Sequence, residues 1–267
     1  MGITPNLGVA NFWACAVGRD RPLVMAIDHA APLPTSEHTL GLTGEGFSVE
    51  QSIVAPFEEF AVTYSVDAEA HEDPRAVYRK ERGKPTRLEA ELTWRSVAAP
   101  FPYPAMTRYE LPCLVTGTVT VDGETVTVDG QGERDHSWGR RDWWEIGWCW
   151  TSGRLDDGTW FHGMRPTPEF FEFEPGFLRT AASPDLVVAS QVKPRYAWGD
   201  DGLPVGTGLA IDELDFEVTP LFYAPVLLTA PDARTSHFAR ALCRYDEIGG
   251  ASRTAYGWTE WNLPPTP

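Results

Sequence analysis

The chain reads as an all-β protein. Three features carry that expectation. Apolar and polar residues alternate with period two over several stretches, turn signals recur at strand-and-hairpin spacing, and no segment shows a long amphipathic helical pattern. Such a chain folds as a sandwich, a barrel or two of these. No repeat of fixed period is visible, which disfavours a propeller.

Taken in order, Gly8 to Gly18 is apolar around Asn11, Phe12 and Trp13, and its periodicity fits a strand or a short buried helix equally. Leu23 to Ile27 is a short apolar run closed by Asp28-His29, and Pro32 and Pro34 then break the chain. Ser48 to Val54 reads as a strand. The cleanest alternation sets Phe60, Val62, Tyr64, Val66 and Ala68 against Ala61, Thr63, Ser65 and Asp67, the pattern of a half-buried antiparallel strand. Glu69 to Pro85 is charged and reads as a loop or a poorly packed helical turn. Leu88, Ala90, Leu92 and Trp94 repeat the alternation, and Pro100, Pro102 and Pro104 read as a proline-rich linker. Asp122-Gly123, between Tyr109–Val121 and Glu124–Val128, is a strong short hairpin signal, and Asp157-Gly158 is a second. Trp160, His162 and Met164 share a face after that turn, and Glu169 to Phe173 alternates with phenylalanines. Leu186 to Val192 is β-branched, Asp200-Asp201-Gly202 marks a turn, and Gly208 to Thr219 reads as one alternating run. Ser236 to Tyr245 and Thr254 to Asn262 close the chain.

Bulk composition narrows the class. At 267 residues the chain suits one large β domain or two smaller ones, and 42% hydrophobic with 22% charged residues is ordinary globular usage. A net charge of −16, from 38 acids and 22 bases, opposes binding to phosphate backbones or anionic membrane surfaces. Cys15, Cys113, Cys149 and Cys243 form no CxxC, and the scattered histidines show no ligand spacing, so no metal site is expected. The start, MGITPN, lacks a secretory or myristoylation pattern, and Leu221 to Ala230 is too short to span a bilayer. A cytoplasmic chain with free thiols and no integral membrane segment is the expectation. There is no GxSxG, GxxxxGK[ST] or HExxH, and the lone Gly-x-Gly sits between β segments without a following helix. No cofactor is implied.

The most informative stretch is Gly130 to Trp150, which combines glycines, the pair Asp135-His136 and five tryptophans. As a strand it sends Arg134, His136 and Trp138 one way and Glu133, Asp135 and Ser137 the other. After a turn at Gly139, Trp144, Ile146, Trp148 and Trp150 share one face, opposite Trp143, Glu145, Gly147 and Cys149. An acid beside indoles loses solvation, which raises its pKa and keeps its proton near neutrality. His136 is a donor or an orienting group, and indole faces stabilise a cation by roughly 2 kcal/mol or more when desolvated. Asp135, His136 and Glu145 are therefore the candidate catalytic residues. Trp138, Trp144, Trp148, Trp160, Tyr109, Trp258 and Glu260 are the candidate substrate-binding residues. Each has a purely structural alternative. Asp135 pairs with Arg134, Glu145 pairs with Arg141, His136 is a satisfied strand histidine, Glu260 is a rim charge, and Tyr109 and Tyr256 are hydrogen-bonded core tyrosines.

The run GQGERDHSWGRRDW resembles the Gly-x-Gly-x-x-Asp-His-x-Trp-Gly signature of the lipocalin-like carotenoid 1,2-hydratase and AttH superfamily, and the terminal YGWTEWN is similar to its closing strand. Gly130, Gly132, Asp135, His136, Trp138 and Gly139 match position by position. The resemblance implies two lipocalin-like antiparallel β-barrel or sandwich domains packed side by side, here residues 1–138 and 139–267, with the signature near their junction. It also implies a large apolar substrate and no metal, among members that include hydratases, tocopherol cyclase-like proteins and Diels–Alder cyclases. Three readings follow. The first is a cofactor-independent hydratase, lyase or cyclase that acts by acid on an isoprenoid, steroid or polyketide-like substrate in a Trp-lined cavity. The second is a pericyclase that works by shape. The third is a non-catalytic carrier of a hydrophobic ligand.

Overall fold

In the computed structural model the described residues are 2–4, 8–34, 39–139, 143–167, 174–230 and 232–264. Strands form nearly all of its regular structure; one 3-10 turn lies at Pro74–Val77. The chain divides into two compact units. One holds Met1–Ala76, Lys80–Val97 and Cys113–Gln131; the other holds Val77–Arg79, Ala98–Pro112 and Gly132–Pro267.

The first unit is built from β1 (Gly2–Thr4), β2 (Val9–Ala16), β3 (Leu23–Pro32), β4 (Thr39–Gly44), β5 (Phe47–Ala55), β6 (Glu59–His71) and β7 (Lys84–Ser96). After β8 (Phe101–Pro102), β9 (Arg108–Val121) enters this unit from the second, and β10 (Glu124–Ser137) leaves it again. The sheet order is β1-β2-β3-β6-β7-β9-β10, with β5 on β6, β4 on β5 and β8 on β9. Period-two patterning explains the pairing. Phe60, Val62, Tyr64 and Val66 on β6 lie directly opposite Trp94, Leu92, Ala90 and Leu88 on β7, so the two expected inward faces coincide. Val66 and Leu88 are fully buried and join Phe12, Val24, Leu42 and Val49 in this unit's core. Asp122 and Gly123 both take positive φ, 48° and 83°, the backbone a two-residue hairpin turn with right-handed strand twist requires.

The second unit continues with β11 (Gly147–Leu155), β12 (Trp160–Thr167), β13 (Gly176–Arg179), β14 (Val187–Val188), β15 (Val192–Trp198), β16 (Pro204–Ile211), β17 (Leu214–Tyr223), β18 (Val226–Thr229), β19 (Thr235–Glu247) and β20 (Thr254–Leu263). The sheet runs β14-β13-β12-β11-β20-β19-β17-β16-β15, with β18 on β19. The two sheets are curled and antiparallel, the expected all-β, lipocalin-like architecture. The core of this unit takes alternate residues, among them Cys149, Phe161, Ala241, Cys243 and Trp261, and a space of only about 10 Å³ remains beside Thr151, Tyr245 and Trp261. That is room for roughly one water.

Four expectations about local structure are corrected. The proline-rich stretch is no linker: Phe101 and Tyr103 alternate with the prolines and are buried, while β8 pairs with β9. Proline lacks an N–H, so it tolerates this short strand's exposed positions and leaves its neighbours to bury. Glu69 to Pro85 contains the ends of β6 and β7 as well as the 3-10 turn. Gly208 to Thr219 is not one run but a hairpin, turned where Asp212 takes a φ of 48°. Trp143 to Glu145 form a turn, and the strand begins only at Gly147. There Asn262 Nδ2 donates to the carbonyls of Trp143 (2.8 Å) and Ile146 (3.1 Å), so a side chain satisfies them in place of a neighbouring strand. The expected alternation over Glu169 to Phe173 and the ion-pair partner Arg141 lie outside the described residues. All four cysteines are free, and among the described residues no helix is long and apolar enough to cross a membrane.

Candidate functional site

Strand alternation in the second unit creates the site. Because Cys149, Phe161, Ala241 and Trp261 turn into the core, Trp150, His162, Arg240 and Glu260 turn to the other face of the same sheet. Register aligns them: Trp150 lies opposite Glu260, Glu260 opposite Arg240, and Ser152 opposite His162. To this face the segment before β9 adds Tyr103, β9 itself adds Arg108 and Glu110, and β10 adds Glu133 and Asp135.

Glu110 is the centre of the group and is fully buried. Arg108 Nε donates to its Oε1 at 2.5 Å, and Trp150 Nε1 donates to the same oxygen at 3.2 Å. His162 Nε2 lies 3.9 Å from that oxygen and is hydrogen-bonded to the Tyr103 hydroxyl at 2.8 Å. Arg108 also reaches Asp135 Oδ2 at 3.3 Å. One acid or base atom from each of Glu110, Glu133 and His162 lies within 4.8 Å of the other two. Two carboxyl oxygens there, Glu110 Oε2 and Glu133 Oε1, are buried with no hydrogen-bond partner. Aromatic rings wall the imidazole: Trp150 and Phe177 each stand 5.3 Å from it, and Phe101 6.3 Å.

Burial sets the protonation states. It pushes the Glu110 carboxyl up to about 7, against the opposing charge of Arg108. Burial, then the neighbouring Glu110 and Asp135, raise Glu133 well above the ordinary carboxyl range. Burial, then the charge of Arg108, hold His162 well below its usual value, so it is a neutral imidazole. Burial also raises Glu260, with Arg240 opposing, and Trp258 Nε1 donates to Glu260 at 3.2 Å. At neutral pH the site therefore combines a carboxyl group able to give a proton, a neutral imidazole and a fixed guanidinium. The donor atoms of this group are partly engaged. The His162 nitrogen that faces Glu110 is taken by Tyr103, and Glu110 Oε1 is taken by Arg108 and Trp150. Glu110 Oε2, Glu133 Oε1 and His162 Nδ1 are buried without a hydrogen-bond partner, and these are the atoms that a divalent ion would have to use.

The sequence-predicted residues divide into groups. Asp135 joins the cluster through Arg108, and Glu260 and Trp258 sit on the same sheet face beside Arg240, whose guanidinium lies 5.9 Å over the Trp258 ring. Trp160 is buried on that face with Arg154 5.4 Å over its ring. Tyr109, His136 and Trp138 occupy the opposite face of the β9–β10 ribbon. Tyr109 stacks on His136 at 5.5 Å, His136 lies 5.4 Å from the half-exposed Trp138, and Arg134 donates to the Tyr109 hydroxyl at 2.9 Å. Trp148 packs on Phe238 at 5.7 Å, and Trp144 donates to the Leu228 carbonyl at 3.3 Å. Glu145 corrects the expectation of a desolvated acid: it is exposed on the turn before β11, outside the strand register that would have turned it inward. His136 is also exposed, and it stacks on Tyr109 in place of facing Glu110. Sequence reasoning missed Tyr103, Arg108, Glu110, Glu133, Trp150, His162 and Arg240 as site residues. The available signals were the single acid at the head of the apolar run YELPCLV and the aromatics alternating with Pro100, Pro102 and Pro104.

A family model described as "Domain of unknown function (DUF7064)" matches residues 1–265. No curated protein matches the chain. Among solved structures, the fold is similar to kievitone hydratase from Nectria haematococca, with a TM-score of 0.50 and 10% identity over 97% of this chain and 90% of that one. It is also similar to the AttH-like protein NE1406 from Nitrosomonas europaea (TM-score 0.48, 13% identity, 80% of this chain and 85% of that one). A third is CghA (TM-score 0.44, 11% identity, 92% and 74%). At such identities the likeness is one of fold.

Proposed function

The chain belongs to the DUF7064 family, and we propose that it is an enzyme that protonates an alkene in a large apolar substrate, leading to hydration, dehydration or cyclisation. One observation carries this reading: Glu110 is fully buried, holds its proton up to about pH 7 and has one oxygen, Oε2, with no partner. An acid matched to neutral pH is what proton transfer to carbon requires. Kievitone hydratase shares the fold over nearly its whole length, which supports placing hydration ahead of the other reactions.

In this reading Glu110 Oε2 gives its proton to one alkene carbon, and the π pair forms the new C–H bond. The carboxylate left behind is held by Arg108 and the indole N–H of Trp150. Trp150, Phe177 and Phe101 keep water from the nascent cation, whose charge an indole face offsets by roughly 2 kcal/mol. Water then adds to the cation and returns a proton to Glu110, so alkene and water become alcohol. Asp135 acts at one remove, through Arg108. The isoprenoid, steroid and polyketide-like classes fit the aromatic lining.

The test is turnover of a panel of such alkenes in D₂O and in H₂¹⁸O. A product heavier by one water, with solvent deuterium on carbon and ¹⁸O in the hydroxyl, is expected. Glu110→Gln should lower the rate at least about 100-fold with the fold intact by circular dichroism. A pH-independent rate and a product without solvent deuterium would refute acid catalysis and favour closure by shape.

A further inference from the structure

We propose that Glu110 and Glu133 form a coupled acid pair that holds one proton between its two members, with Asp135 competing for Arg108 and so tuning how firmly that proton is kept. The inference rests on the reading of Glu110 as the acid and adds Glu133 to it as a second proton-carrying group.

Three observations converge. First, Glu110 Oε2 and Glu133 Oε1 are, among the described residues, the buried carboxyl oxygens that lack a hydrogen bond. A proton on one of them makes it a donor and the other an acceptor, and satisfies both at once. One oxygen of each residue lies within 4.8 Å of the other's, a span that side-chain rotation or one bridging water closes. Second, the charges around them do not balance. Glu110, Glu133 and Asp135 are three acids, and among the described residues the cation paired with Glu110 and Asp135 is Arg108. His162 is neutral, the Tyr103 phenol keeps its proton, and Glu260 is opposed by Arg240. Fully ionised, three acids and one arginine leave two negative charges. One retained proton leaves one, and Asp135, with 46% of its side chain exposed, is the most solvent-exposed of the three acids. Third, two carboxylates this close, Glu110 buried and Glu133 partly buried, repel, and such a pair surrenders its last proton late.

The consequence for the reaction is a reservoir. After Glu110 donates to carbon, both carboxyls are ionised. The proton released when water adds has two acceptors, either of which restores the pair.

Infrared spectroscopy of the full chain in H₂O and D₂O, titrated across pH 5 to 9, tests this without a substrate. The expected result is a deuterium-sensitive carboxylic C=O band, worth one proton, that persists above pH 7. Glu110→Gln and Glu133→Gln should each lower the midpoint of the surviving acid by about one pH unit or more, a tenfold loss of proton affinity. Asp135→Asn should lower the pair's midpoint too, because Arg108 then serves the pair alone. The wild-type band area is decisive even where a variant fails to fold. Absence of the band at pH 6 overturns the proposal, as does an unmoved Glu110 midpoint in Glu133→Gln. Stoichiometric binding of Zn²⁺ or Mn²⁺ that erases the band also overturns it. The expected band without turnover of any alkene sinks the functional reading alone. Loss of turnover in Glu110→Gln without coupling sinks the pair alone.

Discussion

Glu110→Gln should remove a pH dependence of stability that the wild-type chain carries between about pH 4.5 and 7. The sign follows from burial. The fold favours the neutral carboxyl, raising it from 4.5 to about 7. Its contribution is therefore whole below 4.5 and is lost as pH rises through about 7, where the folded chain must ionise a group enclosed among Trp150, His162 and Tyr103. A rise of that size, at about 1.4 kcal/mol for each pH unit, corresponds to about 3 kcal/mol. Glu133 is raised as well and adds a loss of the same sign. His162 is lowered below 6.5, so its contribution is present above that value and falls away as pH drops beneath it, opposite to the acids. The raw wild-type profile mixes all three, and the difference between wild type and Glu110→Gln removes the His162 part and keeps that of Glu110 with its effect on Glu133. The assay is urea unfolding at half-unit steps from pH 4 to 8, followed by tryptophan fluorescence. Relative to the variant, wild type should lose at least about 3 kcal/mol across that range and then run parallel. Two profiles parallel throughout would mean that Glu110 ionises as readily in the fold as in the unfolded chain, and the reasoning would fail.

Tyr103→Phe strips the 2.8 Å hydrogen bond from His162 Nε2 and leaves a buried nitrogen unsatisfied, which should destabilise the fold by about 1–3 kcal/mol, read as a lower urea midpoint at unchanged m-value. Glu145→Gln should leave both turnover and stability at wild-type levels, since the side chain is exposed on a turn; a large loss of rate would return it to the site. Gly123→Ala forces a side chain onto a φ of 83° in the β9–β10 turn and should cost about 1 kcal/mol by thermal or urea melting, with the substrate panel still turned over.

Much of the architecture was written in local pattern. The β6 and β7 alternations, the Asp122-Gly123 turn and the opposed faces of Arg134 and Asp135 are consequences of strand geometry, which needs only neighbours in the chain. Trp160, His162 and Met164 were readable as one face for the same reason. The acid itself was not. Glu110 differs from an ordinary strand glutamate only because Trp150 and His162, tens of residues away in sequence, close over it together with Tyr103. Desolvation is a property of that assembly and leaves no local mark. The same gap misdirected Glu145: its inward orientation assumed that the strand began before it, whereas Asn262, 119 positions beyond Trp143, caps a turn there.

The β9–β10 ribbon also gives the molecule a parity rule. Its shared turn at Asp122-Gly123 decides which residues of β10 look toward Glu110 and which look away. A single residue deleted between that turn and Glu133 would exchange the sets, withdrawing Glu133 and Asp135 and presenting Arg134 and His136 in their place. Two acids would become two bases around a buried carboxyl, reversing its polarity with every side chain in the unit still present. Length changes in this arm are tolerable only in pairs, and an odd-length variant that keeps its secondary structure is the one expected to fold and do nothing.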